Sequence, residues 1–299
     1  MDDSNRVPGD SNRITREYLD SLLIETRYIG SVLPDTSMEL YGAAFGTPIM
    51  TAAFSHLDKI YHCPDGMAKT AQGAFGAKAV MWAGMGDEAE LRAMIETGAK
   101  VIKIIKPYAD ESLIYRQIEE AERCGALAVG MDIDHSFSKN GTYDTVFGDP
   151  MESKTVDDLR RYIRATKLPF VVKGVLSVHD AKKSAEAGAK GIVVSHHHGI
   201  SDYAVPPLKV LPKIVEAVGG QLPIFVDCGI ERGFDAFKAL ALGATAVCVG
   251  RTILDNLVRD GAQGVQNRIE GMTRELAGAM ARTGSPDIRQ IDPSVIWEY

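Results

Sequence analysis

Three groups of residues in this chain have types and spacing that could do chemistry. They are a lysine ending one apolar run, three adjacent histidines ending the next, and two glycine-containing turns with arginines after the last two. Phe170-Val171-Val172 ends in Lys173, and Gly191-Ile192-Val193-Val194 leads into Ser195-His196-His197-His198-Gly199. Asp227-Cys228-Gly229-Ile230-Glu231-Arg232-Gly233 follows Ile224-Phe225-Val226, and Gly250-Arg251-Thr252 follows Ala246-Val247-Cys248-Val249. An ammonium leaving an apolar strand needs an anion beside it. An imidazole that titrates near neutrality can take a substrate proton, and glycine turns with free N–H groups and arginines can hold a phosphate. The same histidines, with Asp134 and His135, leave a metal reading open. Adjacent histidines cannot readily all point at one ion, so no metal is assigned.

These residues must be positioned by a repeated unit, and the chain contains one. Gly76-Ala77-Lys78-Ala79-Val80, Gly98-Ala99-Lys100-Val101-Ile102, Gly125-Ala126-Leu127-Ala128-Val129, Gly188-Ala189-Lys190-Gly191-Ile192 and Gly243-Ala244-Thr245-Ala246-Val247 share one phrase. Each follows a helical pattern, such as residues 87–97 or 180–187, so the glycine reads as a helix C-cap and the apolar run as a buried parallel strand. Three further runs begin at Thr47-Pro48, Leu168-Pro169 and Leu222-Pro223, where proline suits a first strand position. Strands alternating with helices in this number predict a (β/α)8 TIM barrel, whose functional groups sit at the C-terminal strand ends. The expected organisation is one domain over 1–299. It comprises an N-terminal extension over 1–46 with a helix near 15–26, a barrel over 47–256, and a C-terminal helix and tail over 257–299, helical over 264–282.

Composition narrows the function. A 45% hydrophobic, 24% charged chain with net charge -7 and no long basic block gives no footprint for nucleic acid. No apolar run reaches the roughly 20 residues a membrane helix needs, and Met1-Asp2-Asp3-Ser4-Asn5-Arg6 lacks a signal-peptide apolar region, so a cytoplasmic protein is expected. Cys63, Cys124, Cys228 and Cys248 have no CxxC spacing and read as free thiols.

From Phe170 to Asp287 the sequence resembles the C-terminal half of the FMN-dependent α-hydroxy-acid oxidase and dehydrogenase family, which includes glycolate and lactate oxidases. The stretches that carry the resemblance are Val172-Lys173-Gly174-Val175, Gly191 through Gly199, Val226 through Gly233, Phe237-Lys238-Ala239-Leu240-Ala241-Leu242-Gly243-Ala244 and Gly250-Arg251. The first half matches more loosely, through Pro48-Ile49-Met50-Thr51-Ala52-Ala53 and Asp65-Gly66. The resemblance implies an FMN-dependent oxidoreductase with Lys173 at the flavin N1/O2 edge and His197 as the active-site base. It also implies a cofactor site of Thr51, Ala52, Ala53, Lys173, Ser195, Asp227, Gly229, Arg232, Gly250 and Arg251, and a homo-oligomer of four or more copies.

The chain reads as a short, divergent member. Ile200 stands where the family has an arginine for the substrate carboxylate. Asp132-Ile133-Asp134-His135-Ser136-Phe137-Ser138-Lys139 contains no second arginine; Lys139 alone could substitute, and a lysine does not replace a planar guanidinium. Lys103 or Lys106 stands near the family's glutamine and tyrosine, and Glu231 at its first phosphate arginine. A small-molecule substrate other than a simple 2-hydroxy acid is therefore expected, with His198, Lys139 and His135 as candidate contacts. The alternatives are a flavin-dependent isomerase, a barrel lyase or aldolase with Lys173 as Schiff-base nucleophile, and an inert barrel.

Overall fold

The computed structural model describes residues 7–299, so the polar opening at 1–6 lies outside the described residues. Eight parallel strands form one sheet: β1 (Ile49–Thr51), β2 (Met81–Ala83), β3 (Val101–Ile105), β4 (Ala128–Asp132), β5 (Phe170–Val175), β6 (Gly191–Val194), β7 (Ile224–Val226) and β8 (Ala246–Val249). β1 pairs with β8, and the order runs down from there to β2. The Thr51 N–H donates to Val80 O at 3.2 Å across the remaining seam, which closes the (β/α)8 barrel. After the strands come α1 (Gly66–Gly76), α2 (Glu88–Glu96), α3 (Glu111–Cys124), α4 (Val156–Arg164), α5 (Val178–Ala187), α6 (Pro207–Val218), α7 (Gly233–Ala241) and α8 (Arg251–Arg282).

The recurring glycine does what a C-cap requires at four of its five places: Gly98, Gly125, Gly188 and Gly243 all have positive φ. Gly76 is different. Lys78 takes the left-handed conformation there, while a Cβ on Gly76 would meet the Gln266 side chain at 2.4 Å, so this glycine serves close packing against α8.

Strand alternation sorts the core in two. Met50, Trp82, Ile104, Val171, Val193, Phe225 and Cys248 fill the barrel, with Trp82 edge-on to Phe225 at 5.3 Å. The hairpin Met38–Leu40/Ala43–Phe45 adds Met38, Leu40 and Phe45 to this cluster. The opposite strand faces pack against the helices. One inward position further along the strands, alternation presents Ala52, Lys106, Asp132, Lys173, Ser195, Asp227 and Gly250 at the C-terminal mouth.

The N-terminal end of the chain differs from the sequence expectation. The N-terminal helix is Ser11–Ser21, capped by the Asp10 side chain, and not 15–26. It stops because Leu22–Ile24 pairs as a strand with Ile296–Glu298. At the C-terminus α8 is two helical segments broken at the non-helical Gly261 (φ 61°, ψ -144°), and the second segment, ending at Arg282, is the helix expected over 264–282. Among the described residues no helix is long and apolar enough to cross a membrane, and all four cysteines are free.

Candidate active site

The mouth is organised around one buried carboxylate. Asp132, at the end of β4 and 3% exposed, takes Lys106 Nζ on Oδ2 at 2.9 Å and has Lys173 Nζ 3.0 Å from Oδ1. Burial alone would raise the Asp132 pKa, but the two ammonium groups hold it well below the usual carboxylate range. Burial would likewise discharge Lys173, yet Asp132, Asp227 and Asp134 hold its pKa well above the ordinary lysine value. Lys173 is therefore a fixed cation. A Schiff-base nucleophile has to be neutral, so this environment works against the lyase or aldolase reading.

His197 stands over this ion cluster. It has a left-handed φ of 47° and its N–H donates to Ser195 Oγ at 3.0 Å, which aims the ring inward. Its Nδ1 lies 3.0 Å from Asp134 Oδ1, 3.3 Å from Lys173 Nζ and 3.6 Å from Asp132 Oδ1. Its Nε2 lies 3.1 Å from His135 Nε2, and His135 Nδ1 lies 3.3 Å from Asp144 Oδ2. Burial, reinforced by Lys106 and His197, pushes the His135 pKa down to about 4, so this ring is neutral near pH 7. With its hydrogen on Nδ1 toward Asp144, His135 offers a lone pair at Nε2. Both His197 nitrogens then face acceptors, the arrangement that suits an imidazole holding a transferred proton.

The other two histidines separate from this one. His196 is buried, bonds Thr15 Oγ1 through Nε2 at 2.8 Å and accepts the Gly199 N–H at Nδ1, 2.9 Å away, so it ties the N-terminal helix to the β6 loop. His198 lines the mouth cavity with an exposed side chain, and its N–H points at Cys228 Sγ, 3.4 Å away. Asp132, Asp134, His135 and His197 bring possible metal-ligand atoms within 4.8 Å of one another. Two lysines already match Asp132, however, and would place fixed positive charge beside any entering cation.

The cavity runs from Lys173 and His197 past Asp227, Cys228 and Gly229 to Ala52, Ala53, Gly250, Arg251 and Thr252. At the mouth, just past β1 and β8, the inward residues are small, Ala52 and Gly250, and a Cβ on Gly250 would meet nothing nearer than Ala52 Cβ at 3.8 Å. No side chain caps α8. A cation at one end, small residues along one wall and an open helix N-terminus at the other fit a flat ring that carries a phosphate.

Not every expected cofactor residue lies here. Thr51 points the other way on its strand, and its Oγ1 accepts the Trp82 N–H at 2.9 Å in the barrel seam. Ser195 acts through its bond to His197. Arg232 is turned to Glu275, 3.3 Å away, and lies over the Phe234 ring. The backbone donors around it are also taken: Asp235 Oδ2 accepts from Glu231 N and Arg232 N, and Glu275 from Gly233 N. Lys139 is 68% exposed and 3.8 Å from Asp202. Lys103 faces the helices, bonded to Gly84 O and Gly86 O; burial lowers its pKa to about 8. Sequence reading missed Lys106 as the partner of Asp132, and Asp144 and Arg268 altogether. The inward alternation of β3 carried a signal for Lys106; the other two arrive from loop and helix positions that no strand periodicity reaches.

Known proteins place this architecture. Among solved structures, a mandelate oxidase variant with a monooxide FMN adduct superposes with a TM-score of 0.85 at 28% identity, over 94% of this chain and 90% of that one. Glycolate oxidase 3 of Arabidopsis thaliana is 30% identical over 293 residues, covering 86% of this chain and 79% of the relative. An L-lactate oxidase of Roseobacter sp. (strain GAI101) is 42% identical over 143 residues, 48% of this chain and 39% of its own length. The profile of the FMN-dependent dehydrogenase family matches residues 8–154 and 139–298. With the barrel, the fixed cation and the open phosphate end in place, the chain belongs to the FMN-dependent dehydrogenase family, oxidoreductases whose cofactor is FMN.

Proposed function

We propose that this protein oxidises a neutral or cationic alcohol rather than a simple 2-hydroxy acid. The observation that carries the reading is the charge around His197. Asp132 and Asp134 crowd its Nδ1, Asp134 Oδ2 is buried with no partner, and the only arginine lining the cavity among the described residues is Arg251. Ile200 and the outward, Asp202-paired Lys139 provide no guanidinium. Losing a charge-assisted hydrogen bond costs about 1.5–3 kcal/mol, so a substrate carboxylate that finds no guanidinium here gives up about ten- to a hundredfold in binding, a loss that an uncharged substrate does not share. A mandelate oxidase variant solved with 2-hydroxy-phenylacetamide, a neutral hydroxy amide, gives a precedent for such a ligand in this fold.

FMN, when bound, would supply the acceptor for the hydride equivalent, the two electrons and the hydrogen that leave the carbinol carbon. Lys173 would set a positive charge against the flavin ring, Gly250 and Arg251 would hold its phosphate, and Ala52 and Ala53 would wall it. His197 Nε2 takes the substrate's hydroxyl proton, while Asp134 and Asp132 stabilise the charge that the ring acquires. His135 lies 3.1 Å from the same Nε2, so its ring turns aside toward Asp144 to admit the substrate hydroxyl. The reading places the enzyme in the cytoplasm as a homo-oligomer of four or more copies, which light scattering checks; monomer alone at all concentrations would remove the assembly.

Protein purified with FMN should be yellow and thermally stabilised by it. His197→Ala should keep the flavin while slowing its reduction by about 10²- to 10⁴-fold, the usual cost of losing a general base. Unchanged reduction would remove His197 from its role.

A further inference from the structure

The β7 turn holds a puzzle of charge. Glu231 lines the cavity beside the start of α8, and the N–H groups of its own turn are already bonded to Asp235 and Glu275. A phosphate at this end must find its donors elsewhere. α8 supplies its uncapped first turn and Arg251. It supplies something else from beyond its bend. Arg268 Nε donates to Thr252 Oγ1 at 3.0 Å, and its Nη2 donates to Glu231 O.

That contact needs the bend. In a straight helix the 16 residues from Thr252 to Arg268 would span about 24 Å. The non-helical Gly261 turns the second half of α8 back on the first, so closely that a Cβ on Gly264 would meet Asn256 O at 2.1 Å. Arg268 is half-buried, and among the described residues neither it nor Arg251 has a carboxylate partner, although acidic side chains outnumber basic ones, 40 to 33. Arg251 lines the cavity at that helix start and Arg268 is bonded to Thr252 in the same first turn; two cations without carboxylate partners there are the complement of a dianionic group.

We propose that Arg268 is a phosphate-binding residue, gripping the FMN phosphate together with Arg251 and offsetting the charge of Glu231. This rests on FMN being bound in this cavity. The test is flavin titration, followed by fluorescence quenching, into the full-length chain freed of flavin, with FMN and riboflavin compared. The unsubstituted protein should prefer FMN. Arg268→Gln should weaken FMN tenfold or more while leaving riboflavin within twofold, and Arg268→Lys should recover part of the loss. FMN unchanged within twofold, or FMN and riboflavin weakened equally in both variants, would overturn the proposal, the second by showing that Arg268 only braces Thr252 and the β7 turn. Failure of the unsubstituted protein to bind either flavin would overturn the cofactor site itself, a result distinct from the other two.

Discussion

Replacing Asp132 by Asn keeps the shape of the side chain and removes the charge that two buried lysines share. Lys106 and Lys173 are 8% and 5% exposed, with Nζ atoms 2.9 and 3.0 Å from the carboxylate. Removing one partner of a buried ion pair costs about 3–5 kcal/mol, because the remaining charge stays desolvated. Asp227 and Asp134 still face Lys173, so the larger loss falls on Lys106. An unfolding entropy of about 2.1 cal/mol/K per residue gives about 0.6 kcal/mol/K for 299 residues, so the midpoint should fall by about 5–8 °C. The assay is thermal unfolding of flavin-free protein at pH 7, followed by circular dichroism. Asp132→Asn with Lys106→Met should lose less than Asp132→Asn alone, since the second change removes the stranded charge. A midpoint within 1 °C of the unsubstituted protein, or a double variant that loses the full sum of the single losses, would refute Asp132 as the centre of this ion cluster.

Two further outcomes follow from side chains around the mouth. Arg16 on the N-terminal helix grips Asp235 through both oxygens, at 3.0 and 2.9 Å, and Gly229 O at 2.9 Å. Arg16→Ala should cost about 1.5–3 kcal/mol in denaturant unfolding and loosen the β7 turn, weakening FMN as well; an unchanged denaturation midpoint would contradict this. His135 has a folded pKa of about 4 against about 6.5 unfolded, so the unfolded chain binds the extra proton and stability falls as pH drops from about 6.5 to 4, by up to about 3 kcal/mol. His135→Gln should flatten that part of the stability profile measured in urea; an equally steep profile would show that His135 is not the buried neutral group.

Much of this site could be read before any coordinates. The barrel followed from the glycine-headed strands, because a helix C-cap and a buried parallel strand leave local marks. Lys173, His197, Asp227 and Gly250 were legible because strand ends define the mouth. Thr51 was placed in the cavity although it neighbours inward-facing residues on both sides and so points away. The Glu275 partner of Arg232 carries no sequence signal, because Glu275 comes from α8, far along the chain. Asp144 reaches His135 from the loop after β4, and Arg268 reaches Thr252 through the bend at Gly261, contacts with no periodic signal. The N-terminal helix boundary slipped because Leu22–Ile24 finds its strand partner at the far end of the chain.

The most direct test of the central claim is anaerobic bleaching of the FMN absorbance by paired substrates that differ only in charge, lactate against lactamide and mandelate against 2-hydroxy-phenylacetamide. The absence of a guanidinium at Ile200 and along the cavity wall other than Arg251 predicts that each amide reduces the flavin faster than its acid, by about tenfold or more in the second-order rate constant. Bleaching by lactate or mandelate as fast as by the amides would contradict the account.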